Sequence, residues 1–293
     1  MQVEVIANPT AGGGASRKAA RLVALLRERG ATVRLRGTRF AGHARALAAE
    51  AVAQGVDRLV VAGGDGTINE AINGLAGAGL PLALLPGGTA NVLARELGWP
   101  ARLEAIAELV MSGVERRVSL GAIDGRRFAL MASLGLDAEV VAGLDARAKR
   151  RFGKLAYAGA AVRRLIGRRP QLYDIEFDGR TERVAAAIVA KARHYGGAFV
   201  VAPAARLDAP SFELVIARDP SRWAHLRYAA ALGLADLTRA SGIETHRVTR
   251  VVLAGPPGLP VQADGDPVAS TPATVEILPD ALTLLVPAAN RGA

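Results

Sequence analysis

Four short apolar runs, at residues 3–7, 32–35, 59–62 and 82–85, alternate with stretches of helical character in the first hundred residues. Such runs, separated by helices, pack as a parallel sheet buried on both faces, whose ligand crevice lies at the carboxyl ends of the strands. Ser16 offers an N-cap to a first helix through Leu22, Val23 and Leu26, which Gly30 can stop. Further helices are expected at 43–53, 67–75 and 90–97. Three glycine-rich loops then meet at one end of the sheet: 8–14, 63–67 and 87–91.

The central loop reads Gly63-Gly64-Asp65-Gly66-Thr67 and joins an apolar strand to a helix. Glycines let a backbone approach phosphate oxygens, and the first N–H groups of a helix lack partners within it, so such a turn suits an anion. A lone carboxylate there would repel phosphate unless a cation lies between them, so Asp65 implies Mg²⁺ bound with a nucleotide. The plain alternative is an ordinary strand-to-helix turn. A Walker loop is excluded, since the only Gly-Lys pair, Gly153-Lys154, is followed by Leu155. A dinucleotide fingerprint starting at Gly64 fails because Asn69 stands where Gly or Ala is needed.

Beyond residue 115 the texture changes to short strands split by Gly, Asp and Pro, with Asp124-Gly125 as a hairpin signal and helical interruptions at 154–166 and 223–238. The expected architecture is an α/β N-terminal domain with a Rossmann-like parallel sheet over 1–115. A mainly antiparallel β-sandwich domain follows over 116–293, its C-terminal tail packing back on the first domain. The 293 residues, 51% of them hydrophobic, suffice for two cores. The absence of cysteine excludes disulfides, thiolate zinc sites and a cysteine nucleophile.

A net charge of +10, from 37 basic and 27 acidic residues, favours anionic partners: nucleic acid, nucleotides or anionic lipid. The densest basic segment, 147–169, interleaves Arg and Lys with apolar residues, as a helix at a lipid surface would, or as a solvated face would. Nucleic acid is disfavoured by the lack of zinc-finger spacing and RNA-binding boxes and by 4% aromatics. The N-terminal strand carries an acid, unlike a secretory signal, and no apolar stretch approaches the roughly 20 residues of a membrane span. The expectation is a cytoplasmic protein, peripherally membrane-associated. His43, His194, His225 and His246 match no metal or triad spacing.

Taken together, the motifs resemble the diacylglycerol kinase catalytic-domain family, which includes bacterial lipid kinases, sphingosine kinases and ceramide kinases. The resemblance rests on Asn8-Pro9-Thr10-Ala11-Gly12, on 63–70, on Pro86-Gly87-Gly88-Thr89-Ala90-Asn91 with Ala94-Arg95, on 134–138, Tyr195-Gly196-Gly197, Ala202-Pro203 and Asp264-Gly265-Asp266. The central loop also occurs in NAD kinases; the block at 86–91 resembles the lipid-kinase branch. The resemblance implies ATP across Asn8, Pro9, Thr10, Ala11, Gly12, Thr38, Gly63, Gly64, Asp65, Gly66, Thr67, Ile68, Asn69, Gly88, Thr89 and Asn91, with Mg²⁺ on Asp65. It further implies a lipid substrate at an anionic membrane surface, and leaves room for a homodimer.

The family places an Asp-Gly-Glu segment at the acceptor, its Glu regarded as proton acceptor, where this chain has Asp-Gly-Asp. Asp266 keeps the charge on a shorter side chain, so the general base stays open among Asp65, Asp264 and Asp266. A second departure is Asp208-Ala209, where many members have Asp-Asp-Gly and bacterial ones a structural Mg²⁺. That metal site is expected to be weak or missing. The rival readings are an NAD kinase and a non-catalytic nucleotide- or lipid-binding protein of the same fold. The lipid itself, diacylglycerol or a ceramide or sphingoid base, is not legible in the sequence.

Overall fold

The computed structural model describes residues 1–143, 171–234 and 236–287. The basic segment 147–169 and the helix expected at 154–166 lie outside the described residues. Two compact units emerge: Met1–Ser119 with the chain from Pro279 onward, and Leu120–Leu278.

In the first unit, strands β1 (Gln2–Ala7), β2 (Thr32–Gly37), β3 (Arg58–Gly63) and β4 (Leu82–Pro86) alternate with helices α1 (Ala15–Glu28), α2 (His43–Ala53) and α3 (Asp65–Leu75). A short α4 (Val92–Glu96) and α5 (Leu103–Ser112) follow. The strands are parallel in the order β2-β1-β3-β4. Val3, Val5, Val60, Ala62, Ala83 and Leu85 form one core with Leu22 and Leu26 of α1 and Ile106 and Val110 of α5. Ile6, Leu59, Val61, Leu82 and Leu84 are equally buried, as a sheet covered on both faces requires. The one acid in β1, Glu4, is fully buried and held by Arg34 at 2.6 Å and by Arg36, both on neighbouring β2.

Three local expectations change. Ser16 lies inside α1, whose N-cap is Gly14 in the left-handed conformation. Helix α3 begins at Asp65 rather than Thr67, which places the carboxylate in its first turn. Helix α5 was not anticipated: its N-cap Arg102 makes no side-chain cap, and packing of Ile106, Ala107, Leu109 and Val110 holds it instead.

The second unit is an antiparallel sandwich. It takes in the end of β5 (Val114–Ile123), β6 (Arg126–Phe128), β7 (Met131–Leu134), α6 (Leu136–Ala142), β8 (Tyr173–Phe177), β9 (Arg180–Val184), β10 (Ala186–Ala190), and the short pair β11 (His194–Tyr195) and β12 (Phe199–Val200). After them come β13 (Phe212–Ala217), α7 (Arg222–Leu234), β14 (Ile243–Val248), β15 (Arg250–Leu253), β16 (Pro260–Ala263), β17 (Asp266–Ser270) and β18 (Ala273–Val286). One sheet runs β14-β13-β10-β7-β16-β17. Another joins β9, β8, β15 and the first residues of β18. Phe128, Tyr173, Ile175, Phe177, Phe212, Leu214 and Val251 fill the core. From Pro279 on, the chain of β18 belongs to the first unit, where Leu284 pairs in parallel with Leu82 of β4. Among the described residues no helix is long and apolar enough to cross a membrane.

Candidate functional site

In the first unit the chain passes from β1 outward to β2 and returns to β3 on the other side, which makes the carboxyl ends of β1 and β3 a topological switch point. Asn8 leaves β1 there and donates through Nδ2 to the Thr67 hydroxyl at 2.9 Å. Its Oδ1 accepts the N–H and the hydroxyl of Thr10, both at 2.9 Å. The first loop is thereby tied to the first turn of α3.

The second and third loops touch backbone to backbone. Gly87 donates its N–H to the Gly63 carbonyl at 2.8 Å. A β-carbon on Gly88 would stand 2.7 Å from the Gly64 Cα, and one on Gly87 would stand 2.8 Å from the Ala15 Cβ. Glycine is needed at 87 and 88 because any side chain would force the three loops apart. Asn91, in the left-handed conformation, closes its own loop: Oδ1 accepts from Gly88 N at 2.8 Å and Nδ2 donates to Gly88 O at 2.7 Å.

Asp65 sits at the centre. Its Oδ1 accepts the Leu93 N–H at 3.3 Å, so the carboxylate caps the short α4 from the neighbouring loop. Burial pushes the Asp65 carboxyl above its ordinary range, against the Val92, Leu93 and Asn91 N–H groups that favour the charged form. Thr10, Gly12, Gly66 and Thr89 are exposed around it, and Thr38 follows β2 with its N–H on the Ala7 carbonyl at 2.8 Å. Ile68 departs from its expected ligand role. Its side chain is 1% exposed and its N–H donates to Gly64 O, so it serves the core.

This geometry fits a nucleotide phosphate with one cation. The first N–H groups of α3 have no acceptor within the helix, and threonine hydroxyls stand beside them. Among the described residues no group of three or more His, Cys, Asp and Glu is arranged to hold a metal. A cation held by Asp65 and by phosphate oxygens would be bound in the usual manner of Mg²⁺.

In the second unit, Asp264 and Gly265 form the two-residue turn between β16 and β17, with φ of +49° and +85°. Positive values at both central residues define the hairpin turn that Asp-Gly favours. The Asp264 carboxylate accepts the N–H groups of Ala129, Leu130 and Met131 at 2.8, 2.9 and 3.0 Å. Asp264 is thus the anchor of its turn. Asp266, the first residue of β17, is about half exposed and lies 3.7 Å from the Arg126 guanidinium.

Behind the turn lies a polar network that sequence reasoning missed. Gln262 accepts the Gly265 N–H at 2.9 Å and donates to the Ser133 hydroxyl and the Asp137 carboxylate. Asp137 also accepts from Ser133 at 2.6 Å and from Tyr195. Burial pushes its pKa up, against these three donors. The spacing of Ser133 and Asp137 was visible in the sequence, but Gln262 meets them only through the pairing of β16 with β7.

At the second departure, Arg206 grips Asp208 with two hydrogen bonds of 3.1 and 3.2 Å. The main-chain carbonyls of Arg206, Ala209 and Ser211 converge on the buried Lys191 ammonium. Burial lowers the Lys191 pKa from 10.5 to about 8, against the pull of Asp208. Lys191→Met should cost about 2–4 kcal/mol at pH 7, because it strands these carbonyls. Between pH 8 and 10.5 the unfolded lysine binds a proton that the folded one has released, so the wild type gains stability with rising pH. Urea titrations should show the gap between wild type and variant widening over that window; a narrowing gap would contradict the assignment.

The sequence model of the diacylglycerol kinase catalytic domain matches residues 2–123, and that of the YegS C-terminal NAD kinase beta sandwich-like domain matches 131–286. A diacylglycerol kinase of Mycobacterium tuberculosis (strain ATCC 25618 / H37Rv) is 33% identical over 98% of this chain and 95% of its own. A YegS-like lipid kinase of Pseudomonas aeruginosa (strain UCBPP-PA14) is 32% identical over 92% of this chain and 89% of its own. A solved structure of a diacylglycerol kinase from Bacillus anthracis str. Sterne, 24% identical, overlays 98% of each chain at a TM-score of 0.79, which attests the fold. With 33% identity along nearly its whole length, the chain belongs to the family of diacylglycerol kinases and YegS-like lipid kinases, and it is a kinase.

Proposed function

We propose that the protein is an ATP- and Mg²⁺-dependent kinase that phosphorylates a free hydroxyl of a membrane lipid, diacylglycerol or a ceramide or sphingoid base. We also infer that it works in the cytoplasm, peripherally bound to the membrane. The observation that carries this reading is the close packing of Gly63-Gly64 on Gly87-Gly88 around the half-buried Asp65. Bound ATP and its cation supply a transferable γ-phosphoryl group with part of its charge offset. Toward it, Asp65 offers the cation-binding carboxylate, while Thr10, Thr67 and Thr89 and the first N–H groups of α3 offer donors to phosphate oxygens. Asn8 fixes the Thr67 hydroxyl at 2.9 Å and so sets the direction of that donor. Asp266 takes the proton of the lipid hydroxyl as it attacks. Asp264, with three backbone N–H bonds, holds the turn that presents Asp266.

The test is incubation with labelled ATP and a panel of diacylglycerol, ceramide, sphingoid bases and NAD, with chromatographic identification of the product. A phosphorylated lipid is expected. Phosphate on NAD alone would establish the NAD-kinase reading, and nucleotide binding without lipid-stimulated ADP release would establish a binding protein.

A further inference from the structure

We propose that the outward face of α7 is a docking surface for an anionic lipid bilayer. This deepens, and rests on, the reading that the acceptor is a membrane lipid. The inner face of α7, through Ala224, Tyr228 and Leu232, packs on a cluster that includes Met131, Val201, Val215 and Leu237. A surface helix so packed ordinarily turns polar residues outward. Here the outward stripe at i, i+3, i+7 and i+10 reads Trp223, Leu226, Ala230 and Gly233. Trp223 is 79% exposed, more than any other large hydrophobic side chain described, and Leu226 is 50% exposed.

Arg222 and Arg227, both exposed, lie on either side of this stripe at the helical spacing of 100° per residue. The helix carries no Asp or Glu, and Asp219, just before it, stands 3.7 Å from Arg227. Tryptophan favours the boundary between headgroups and acyl chains, and arginine stems lie along apolar surface while their heads reach phosphates. The match to an anionic bilayer is therefore both apolar and electrostatic. A second copy of the chain fits worse, since it would bring the same arginines and a net charge of +10 against this face.

The chain has two tryptophans, so Trp99→Phe leaves Trp223 as the only tryptophan, excited selectively over the tyrosines. With vesicles of phosphatidylcholine and phosphatidylglycerol, its emission should shift to the blue and be quenched by brominated acyl chains. In the wild-type background, co-sedimentation should weaken about tenfold or more in W223Q/L226Q, since two apolar side chains leave the bilayer. It should weaken about fivefold for each of Arg222→Gln and Arg227→Gln at low salt. Turnover on a soluble short-chain lipid should be unchanged in all of them, while turnover on vesicle lipid falls.

Unshifted emission, or wild-type co-sedimentation of W223Q/L226Q, overturns the proposal. So does a dimer in sedimentation velocity that W223Q/L226Q abolishes without any vesicle binding, which would assign the face to a second copy. Kinase activity with unquenched Trp223 removes the surface and keeps the enzyme. Quenched Trp223 with no phosphorylated lipid does the reverse.

Discussion

Asp65→Asn is expected to lower kinase turnover by about 10³-fold or more, because it removes the one carboxylate in the three-loop site that can hold the cation against phosphate. Its melting should stay close to wild type. The asparagine oxygen can still accept the Leu93 N–H that Asp65 holds at 3.3 Å, so the cap on α4 survives. Asp65→Ala should be equally inactive but less stable by about 1 kcal/mol, since the cap is lost. This pair separates chemistry from architecture. The pKa of Asp65 is raised by burial, so a proton competes with the cation at a higher pH than it would at an exposed aspartate. The acid limb of kcat/KM should accordingly begin above the ordinary carboxylate range. Retention of more than a tenth of wild-type turnover in Asp65→Asn, with unchanged melting, would remove Asp65 from the reaction.

What the sequence made legible was the part governed by local pattern. The apolar runs gave the parallel strands, and the glycine blocks gave the three loops, since a turn without side chains announces itself by composition. What it hid depends on contacts between distant residues. Between Phe128 and Met131 the chain leaves one strand, β6, before entering the next, β7. The Asp264 carboxylate, some 135 residues away, draws the N–H groups of 129–131 to itself. Nothing near Ala129 foretells this. Lys191 gains its partners only when the 206–211 loop folds its carbonyls over the ammonium. Helix α7 corresponds to the helix expected over 223–238, and only the structure separates the face that packs from the face that does not.

The same distinction between anchor and reactant decides the second large effect. Asp266→Asn is expected to lower turnover by about 10²–10⁴-fold, the usual worth of a general base, with little change in the KM for ATP. Stability should hardly move. Asp266 and Arg126 are each about half exposed and 3.7 Å apart, a pairing that contributes less than about 1 kcal/mol. Asp266→Glu should keep or raise turnover, because it restores the longer side chain that the family places here. Asp264→Asn should behave differently. It leaves one oxygen to accept backbone N–H bonds that now go to two, so unfolding should be easier by about 1–3 kcal/mol. Its turnover, measured well below its melting temperature, should stay within about tenfold of wild type, short of the loss of a general base. If instead Asp266→Asn is nearly silent while folded Asp264→Asn is inactive, the proton goes to Asp264 despite its three N–H bonds. Should both retain turnover, the turn serves only to shape the second unit, and Asp65 would have to accept the proton as well as hold the cation.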